Sequence, residues 1–269
     1  MYLTAEQAWT AAAPELEEHG DAPAYGKRLR FMARIVRQYV LRDCPESVEI
    51  LEIGCGNGCY LSYPLALMGY SVLGLDPHRP SIEMAQKMYG RDNCEFRCCH
   101  LEELPAENKF SCVILSEVIE HLDDPGKMLR AAAARIAPGG VLIVTTPNGF
   151  GEFEIDKWFY LNLHLERLIA PFRRHRNVGP PSSDCLDGHV QFFTLPRLRR
   201  MFADSELELI ECAASTFACG PLASYLLNYL PPSVRAWNER LADHLPMAMA
   251  SAWYFVARPK NPCNKERGR

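Results

Sequence analysis

Short apolar runs alternate with amphipathic segments through the middle of the chain, and this pattern predicts strands separated by helices. Five runs have the length of buried strands, and most are followed by a segment with apolar positions three or four residues apart. The predicted strands cover residues 48–53, 71–76, 94–99, 111–116 and 141–146, and the predicted helices cover residues 60–68, 79–89 and 126–136. Because strands that alternate with helices form parallel sheets covered on both faces, the pattern predicts a doubly wound α/β domain.

The flanks of this region contain further helices and two interruptions of the alternation. Residues 27–41 carry apolar side chains at helical spacing and predict an amphipathic helix, preceded by an Ala- and Glu-rich segment that predicts a helix or lid. The alternation lapses after residue 147 and again after residue 218. The segments predicted after residue 147 are helices at 158–168, 195–203 and 222–230 and strands at 207–212 and 253–257.

We therefore predict a Rossmann-like α/β fold, a doubly wound and mostly parallel sheet of seven strands with helical cap insertions. Residues 1–45 are expected to form an N-terminal helical extension or lid. Residues 46–269 are expected to form one domain with cap insertions at about residues 150–190 and 219–249. Since the insertions follow strands, they should lie at the carboxyl edge of the sheet, where such folds bind ligands.

Composition narrows the class of protein. The 269 residues include 29 Lys and Arg and 33 Asp and Glu, for a net charge of −4, and 48% of residues are hydrophobic. These values are typical of globular domains and exclude a disordered or collagen-like chain, while the mild acidity disfavours a dedicated nucleic-acid binder. The 11 cysteines are odd in number and scattered, which predicts reduced thiols. Without a secretory signal pattern or a spanning apolar run, the sequence predicts a cytoplasmic protein with no membrane span.

A glycine-rich segment at residues 54–58 follows the first strand of the alternating region. Its glycines have the spacing G-x-G-x-G, and the third glycine of a dinucleotide fingerprint would fall at Cys59. Glu52 precedes the segment, where it would repel a pyrophosphate. Asp76 ends the next strand, where a carboxylate can accept both hydroxyls of a ribose. The pattern therefore indicates a ligand with a cationic end and a ribose, with a dinucleotide oxidoreductase or a degenerate fold as the alternatives.

The ordered motifs ILEIGCGNG, GLDP, LEELP, LSEVIEHLDDP and APGGVLIVTTPN, within residues 48–148, resemble the class I S-adenosylmethionine-dependent methyltransferases. The resemblance implies S-adenosyl-L-methionine as cofactor, with its methionine part on the glycine loop and Glu52, its ribose on Asp76, its adenine near residues 100–101 and its sulfonium near Ser116. The family commonly has an acidic residue where this chain has His100. The cofactor-binding residues implied are Glu52, Gly54, Cys55, Gly56, Asn57, Gly58, Asp76, Pro77, His100, Leu101 and Ser116.

A second group of candidate residues follows the fourth strand. In a helix, Glu117, Glu120 and His121 would share one face, an arrangement that needs hydrogen bonds, a cation or a metal. The E-x-x-E-H pattern resembles ubiquinone-pathway O-methyltransferases, where it is associated with divalent metal. Combined with the later TTPN and His189, it also resembles small-RNA 3′-terminal ribose methyltransferases. The resemblance implies a site for Mg²⁺, Mn²⁺, Fe²⁺ or Zn²⁺ formed by Glu117, Glu120, His121 and His189, and two histidines favour the last three ions.

The same residues support catalysis without a metal. His121 or His189 could act as the general base for an acceptor hydroxyl, or Glu120 and His121 could be hydrogen-bonded pocket residues without a catalytic role. We therefore predict a methyltransferase that acts on the hydroxyl of a small-molecule acceptor, as a monomer or a homodimer, with nitrogen and carbon acceptors left open. The alternatives are an RNA 3′-terminal ribose 2′-O-methyltransferase and a non-catalytic cofactor-binding scaffold. A basic run at residues 173–176 could bind phosphate or RNA, although such runs are more often solvated loops.

Overall fold

The computed structural model describes residues 3–16, 22–41, 47–165, 189–227 and 229–260. Seven strands in these ranges form one sheet, whose order is β3-β2-β1-β4-β5-β7-β6. All neighbouring strands pair in parallel except at β7, which is antiparallel to both β5 and β6. The predicted fold class, a doubly wound and mostly parallel sheet of seven strands, is confirmed. The strands are β1 Glu49–Ile53, β2 Ser71–Leu75, β3 Cys94–Arg97, β4 Phe110–Ser116, β5 Ile136–Pro147, β6 Leu207–Ala214 and β7 Ala252–Pro259.

Helices of the described ranges pack on both faces of this sheet or cover its carboxyl edge. The second of them continues into a π-helical turn at Val36–Val40, and a 3₁₀ turn at Ile119–His121 follows β4. No helix in the described part of the chain is long and apolar enough to cross a bilayer. The helices are α1 Ala5–Leu16, α2 Ala22–Ile35, α3 Ser62–Leu67, α4 Arg79–Tyr89, α5 Pro125–Ala133, α6 Glu152–Asn162, α7 Leu195–Asp204, α8 Pro221–Leu227 and α9 Pro232–His244.

The core lies on both faces of the sheet because successive apolar residues of the central strands point to opposite faces and are buried on both. Ile50 packs in one buried cluster with α2 and α3, whereas the next residue, Leu51, packs in the opposite cluster with α5 and α7. Leu29 and Met32 bring the apolar face of α2 into the first cluster, and both are fully buried. The N-terminal helix α2 is therefore part of the packed core as well as a cover for the sheet edge.

The strand order places two loops side by side at the carboxyl edge of the sheet. β1 lies between β2 and β4, so the chain direction of the crossovers reverses there. The loop after β1 and the turn after β4 consequently face each other across a crevice, which is where ligands bind in open α/β sheets. The glycine-rich segment and the E-x-x-E-H segment occupy these two positions.

Two predicted helices differ from the observed ones. The helix predicted at 126–136 ends at Ala133, because Ile136 pairs with Phe110 and already belongs to β5. The helix predicted at 158–168 begins earlier, at Glu152, and ends at Asn162. The basic run at residues 173–176 lies outside the described residues. The cysteines of the described ranges are free thiols, as predicted, and four of them are buried.

Candidate functional site

The glycine loop after β1 follows a tight path that constrains two of its glycines. Gly54 has a φ of +75°, and a Cβ at this position would lie 2.6 Å from Cγ2 of Val118 in the turn after β4. Gly58 has a φ of +76°, and its Cβ would meet Phe96 at 2.3 Å. Gly56 also has positive φ, at +54°, but a Cβ there would enter open space. Gly54 and Gly58 are therefore required by packing, whereas Gly56 leaves room for a ligand to approach the backbone.

A cavity of about 550 Å³ opens between the two loops. It extends from the glycine loop, past the turn after β4, to the cap segments on the far side. The far wall combines small and hydroxyl-bearing residues, among them Ser215, Thr216 and Cys219, with Phe153 from α6. The predicted cofactor residues that line the cavity are Glu52, Gly54, Cys55, Gly56, Asn57 and Ser116.

The other predicted cofactor residues lie beside the cavity and not on its described wall. One carboxylate oxygen of Asp76 accepts a hydrogen bond from the Gly56 amide at 2.9 Å, and the other accepts one from the His78 amide at 2.8 Å. Asp76 thus supports the glycine loop from the end of β2. Leu101 is buried in the core at the start of a 3₁₀ turn, and the His100 amide donates to Glu103 at 2.6 Å. The remaining two predicted residues are Pro77 and Gly58.

Glu52 is a buried carboxyl group at the inner end of the cavity. It is 4% exposed and accepts a hydrogen bond from the Ser62 hydroxyl. Burial raises the pKa of Glu52 to about 7, although the Ser62 bond and the charge of Arg28 oppose the shift. A carboxyl group with this pKa takes up or loses a proton near neutral pH, so the arrival of a cation in the cavity would favour its charged form.

Arg28 carries a buried positive charge from α2 to the same cavity. Its guanidinium lies 3.2 Å from a carboxylate oxygen of Glu117 and donates a hydrogen bond to Ser116 Oγ at 3.1 Å. The guanidinium carbon also lies 4.9 Å from the ring centre of Tyr25. Burial alone would lower the pKa of Arg28, but the Glu117 carboxylate and nearby phenol groups hold it above its ordinary value. The sequence analysis did not identify Arg28 as a site residue, although an arginine among the apolar positions of a core helix is an available signal.

Glu117 and Glu120 face different partners, because the turn after β4 is not an α-helix. Glu117 adopts a left-handed conformation with a φ of +55°, and its carboxylate accepts a hydrogen bond from Thr145 Oγ1 at 2.7 Å in addition to its contact with Arg28. Glu120 is 1% exposed. One of its oxygens accepts from Thr146 Oγ1 at 3.1 Å, and Oε1 has no hydrogen-bond partner among the described residues. The expectation that Glu117, Glu120 and His121 share one helix face is wrong.

Glu120, His121 and His189 come together on the wall of the cavity. Each offers a donor atom, and these atoms lie within 4.8 Å of one another. The two imidazole rings meet edge to face with their centres 5.1 Å apart. Burial, followed by the charge of Glu117, raises the pKa of Glu120 well above its ordinary value. The structure thus brings together three of the four predicted metal ligands, while Glu117 faces Arg28 instead.

The backbone of Glu120 also fixes the segment that carries His189. The Glu120 carbonyl oxygen accepts hydrogen bonds from the amides of Val190 and Gln191, both at 3.0 Å. The side-chain amide of Gln191 donates a further hydrogen bond to the Leu122 carbonyl oxygen at 3.3 Å. These bonds explain how a histidine 68 positions after His121 reaches the same wall of the cavity.

A family model described as a methyltransferase domain matches residues 25–212 of the chain. Curated relatives include the ubiquinone biosynthesis O-methyltransferase of Bradyrhizobium diazoefficiens, 34% identical over 108 residues, which are 39% of this chain and 42% of the relative. The enzyme of the same name from Caulobacter sp. strain K31 is 38% identical over 125 residues, 45% of this chain and 49% of the relative. The human mitochondrial enzyme is 39% identical over 108 residues, 38% of this chain and 29% of the relative. The chain thus spans less than half the length of these relatives.

Solved structures share the fold at low sequence identity. PKMT2 from Rickettsia typhi in complex with AdoHcy matches with a TM-score of 0.56 at 15% identity, over 90% of this chain and 54% of that one. A putative sarcosine dimethylglycine methyltransferase from Galdieria sulphuraria matches with a TM-score of 0.53 at 15% identity, over 87% of each chain. The [4+2]-cyclase SpnF matches with a TM-score of 0.53 at 15% identity, over 86% of this chain and 81% of that one. Since one of these proteins is named a cyclase, the fold alone does not fix the reaction.

Proposed function

The chain belongs to the methyltransferase-domain family, and from that premise we propose that it transfers the methyl group of S-adenosylmethionine to a hydroxyl group of a small molecule. The membership confirms the family that the sequence motifs predicted. The observation that carries the proposal is the single cavity that joins the glycine loop and Glu52 to Glu120, His121 and His189. We call the part of the cavity at the glycine loop and Glu52 the loop side, and the part at Glu120, His121 and His189 the cluster side. A cofactor on the loop side and an acceptor on the cluster side would meet within the cavity.

The residues on the loop side fit S-adenosylmethionine. Glu52 supplies a buried carboxyl group for the cofactor's ammonium group, and Arg28 supplies a cation for its carboxylate. Gly56 leaves open space along the loop, and Asp76 stands beside it at the end of β2 for the ribose. When bound, S-adenosylmethionine supplies an electrophilic methyl group on a sulfonium ion. The protein's contribution is to hold that group in line with the acceptor.

The residues on the cluster side suit an oxygen acceptor. In the transfer, the acceptor oxygen forms a bond to the methyl carbon as the carbon–sulfur bond breaks, and the electron pair of that bond goes to sulfur. The hydroxyl proton goes to the imidazole of His121 or His189, which act as general bases. The products are a methyl ether, S-adenosylhomocysteine and a protonated imidazole that returns its proton to water.

The cluster also fits a divalent cation. Glu120 Oε1 is a buried oxygen that has no hydrogen-bond partner in the described part of the chain, and the carboxyl group lies within reach of the donor atoms of His121 and His189. One carboxylate and two imidazoles would hold Mn²⁺, Fe²⁺ or Zn²⁺ in preference to Mg²⁺. Such an ion would lower the pKa of an acceptor hydroxyl. In this assignment Glu117 is not a ligand and serves as the partner of Arg28.

The charges on the cavity wall favour a small acceptor over RNA. Arg28 is the only Lys or Arg on the described wall, and it faces the three carboxyl groups of Glu52, Glu117 and Glu120. Such a wall disfavours phosphate groups, which nucleic-acid sites bind through an excess of cations. The cytoplasmic location and the monomeric or homodimeric state stay predictions from the sequence.

Transfer of label from S-adenosylmethionine with a tritiated methyl group tests the proposal. The purified protein would be incubated with phenols, catechols, aliphatic alcohols, amines and a short RNA, with and without chelator. We expect label in a hydroxyl compound and loss of transfer in the double variant His121→Ala/His189→Ala. Label only in the RNA would favour the ribose methyltransferase. Binding of S-adenosylhomocysteine without transfer to any member of the panel would favour the scaffold alternative.

A further inference from the structure

Glu154 and His189 form a buried carboxylate–histidine pair between the two parts of the first cap insertion. Glu154 lies in the first turn of α6, and its Oε1 is 2.7 Å from Nδ1 of His189. The side chains are 13% and 7% exposed, so water has little access to the bond. Lys157, one turn further along α6, places its Nζ 3.8 Å from the other oxygen of Glu154. The geometry of the pair is therefore defined, and the ammonium group of Lys157 lies next to the Glu154 carboxylate.

The carboxylate determines which nitrogen of His189 carries the proton. An ionised carboxylate only accepts hydrogen bonds, so the bond to Nδ1 requires a proton on Nδ1. In a neutral imidazole the other nitrogen, Nε2, then holds a free lone pair. Because Glu154 occupies Nδ1, Nε2 is the atom that His189 can offer to Glu120 and His121. A free lone pair is what both a general base and a metal ligand require.

We infer that Glu154 is a positioning residue that fixes His189 in the Nδ1–H tautomer and presents the lone pair of Nε2 to the acceptor side of the cavity. The Glu120 carbonyl holds the backbone next to His189 through the amides of Val190 and Gln191, and Glu154 holds the ring. The ring is thus fixed from both sides. Its consequence for turnover rests on the proposed function, whereas the tautomer of the ring does not.

A second glutamate in the same turn of α6 provides a matched control. Glu152 does not touch His189, and its carboxylate accepts hydrogen bonds from the amides of Cys219 and Gly220 at 2.8 and 3.2 Å. Substitution of either glutamate removes one negative charge from the same helix turn. Only Glu154 faces the imidazole, so the two variants separate an effect on His189 from a general loosening of the caps.

Long-range ¹⁵N–¹H spectroscopy of histidine-labelled protein tests the inference without a substrate. The His189 signals would be assigned from their loss in His189→Asn, and the spectra recorded at a pH where the ring is neutral. We expect the Nδ1–H tautomer in the wild type and in Glu152→Ala, and a shift toward Nε2–H in Glu154→Ala. An Nε2–H tautomer in the wild type, or an unchanged His189 signal in Glu154→Ala, overturns the inference. The wild-type spectrum decides even if the variant fails to fold.

Turnover provides the second readout. With an acceptor found in the tritium assay, Glu154→Ala should lower kcat about 10- to 100-fold, the range typical of partners that orient an active histidine, and Glu154→Gln should lower it less, because its amide oxygen can still accept the Nδ1–H bond. The KM for S-adenosylmethionine should stay close to that of the wild type, because Glu154 is remote from the glycine loop. Equal kcat in Glu154→Ala and the wild type contradicts a role in turnover. Absence of transfer in the wild type refutes the proposed function and leaves the tautomer result intact.

Discussion

Arg28 Nη2 lies 3.2 Å from Oε1 of Glu117, and this ion pair joins the N-terminal helix α2 to the turn after β4. The arginine side chain is 8% exposed and that of the glutamate 28%. The pair balances one of three carboxyl groups that line the cavity, the others being Glu52 and Glu120. Helix α2 therefore supplies a positive charge to the site in addition to covering it.

Replacement of Arg28 by Met should destabilise the protein and weaken cofactor binding. The substitution leaves Glu117 without its cation and removes the positive charge nearest Glu52 and Glu120, and loss of one partner of a buried pair costs about 3 kcal/mol. Urea denaturation measures the loss. The double variant Arg28→Met/Glu117→Gln should recover part of it, because no unpaired carboxylate remains. A midpoint for Arg28→Met equal to that of the wild type would show that the pair contributes nothing.

Cofactor affinity should fall as the pH drops below 7. The carboxyl group of Glu52 has a pKa of about 7 in the free protein, so below that pH it is mostly neutral. A cationic ammonium group binds the charged form, so binding must release the proton, and affinity should decrease by about tenfold per pH unit in this range. Titration calorimetry with S-adenosylhomocysteine between pH 5.5 and 7.5 measures the slope. In Glu52→Gln the slope should be absent and the affinity low throughout.

The same group should make folding stability depend on pH. Its pKa is about 7 in the folded chain and has an ordinary value of 4.5, so the folded state holds the proton more tightly. The resulting stabilisation is fully present below pH 4.5 and is lost as the pH rises to 7. Relative to the wild type, Glu52→Gln should therefore gain on the order of 3 kcal/mol over this interval. Denaturation curves of the two proteins at pH 4.5 and 7.5 measure this change. An equal difference in the free energy of unfolding at the two pH values would contradict the assignment.

Two glycines of the same loop should respond differently to alanine. Gly58→Ala adds a methyl group 2.3 Å from Phe96 to an unfavourable positive φ, so it should cost about 2–4 kcal/mol of stability. Gly56→Ala should lower stability only by the cost of a positive φ, about 1–2 kcal/mol, because its Cβ meets open space. Since that space borders the cavity, Gly56→Ala should fold yet bind S-adenosylhomocysteine poorly. Similar stability losses in the two variants, with binding retained by Gly56→Ala, would be inconsistent with the loop's proposed role.

The two cap insertions should depend on Asp156 for their mutual attachment. Asp156 is buried on α6, and its Oδ2 accepts hydrogen bonds from the amides of Leu222 and Ala223 at 2.9 and 2.8 Å in the first turn of α8. Burial raises the pKa of this carboxyl group above its ordinary value. Asp156→Ala should cost about 1–2 kcal/mol and speed amide exchange in α8, because the two amides lose their acceptor. Exchange rates at Leu222 and Ala223 equal to those of the wild type would show that the caps are attached by other contacts.

The fold and the position of the glycine loop at the carboxyl edge could be predicted from the sequence because their signals are local. Apolar runs at strand length gave the sheet, and the glycine spacing with Glu52 and Asp76 indicated the loop. Each of these residues lies within a strand or in the turn that follows it, so the regular geometry of a doubly wound sheet brings them together.

The acceptor side could be predicted only in part, because its contacts link distant segments. His121 and His189 were identified individually, but the bonds of the Glu120 carbonyl that bring them together are not visible in the sequence. The left-handed backbone of Glu117 interrupts the periodicity on which the predicted helix face depended. Glu154 was missed because only its contact with a residue 35 positions away distinguishes it from other polar residues of a cap helix.

Arg28 was missed for a related reason. In the predicted helix it has the spacing of the apolar positions Met32, Ile35 and Tyr39, so it lies on the face expected to be buried, but the sequence does not show what it meets there. Its partner Ser116 is 88 positions away, and the contact exists only because α2 packs across the carboxyl edge of the sheet. Helical periodicity locates the buried face of a helix, but the surface which that face meets depends on tertiary packing.

A crystal structure of the protein grown with S-adenosylhomocysteine tests the central claim most directly. We predict the ligand in the cavity between the loop after β1 and the turn after β4, with its amino group at Glu52, its ribose at Asp76 and its sulfur facing the side of the cavity that holds His121 and His189. Density for the ligand at another surface, or a crystal in which the cavity binds a nicotinamide or flavin nucleotide in its place, would contradict the account.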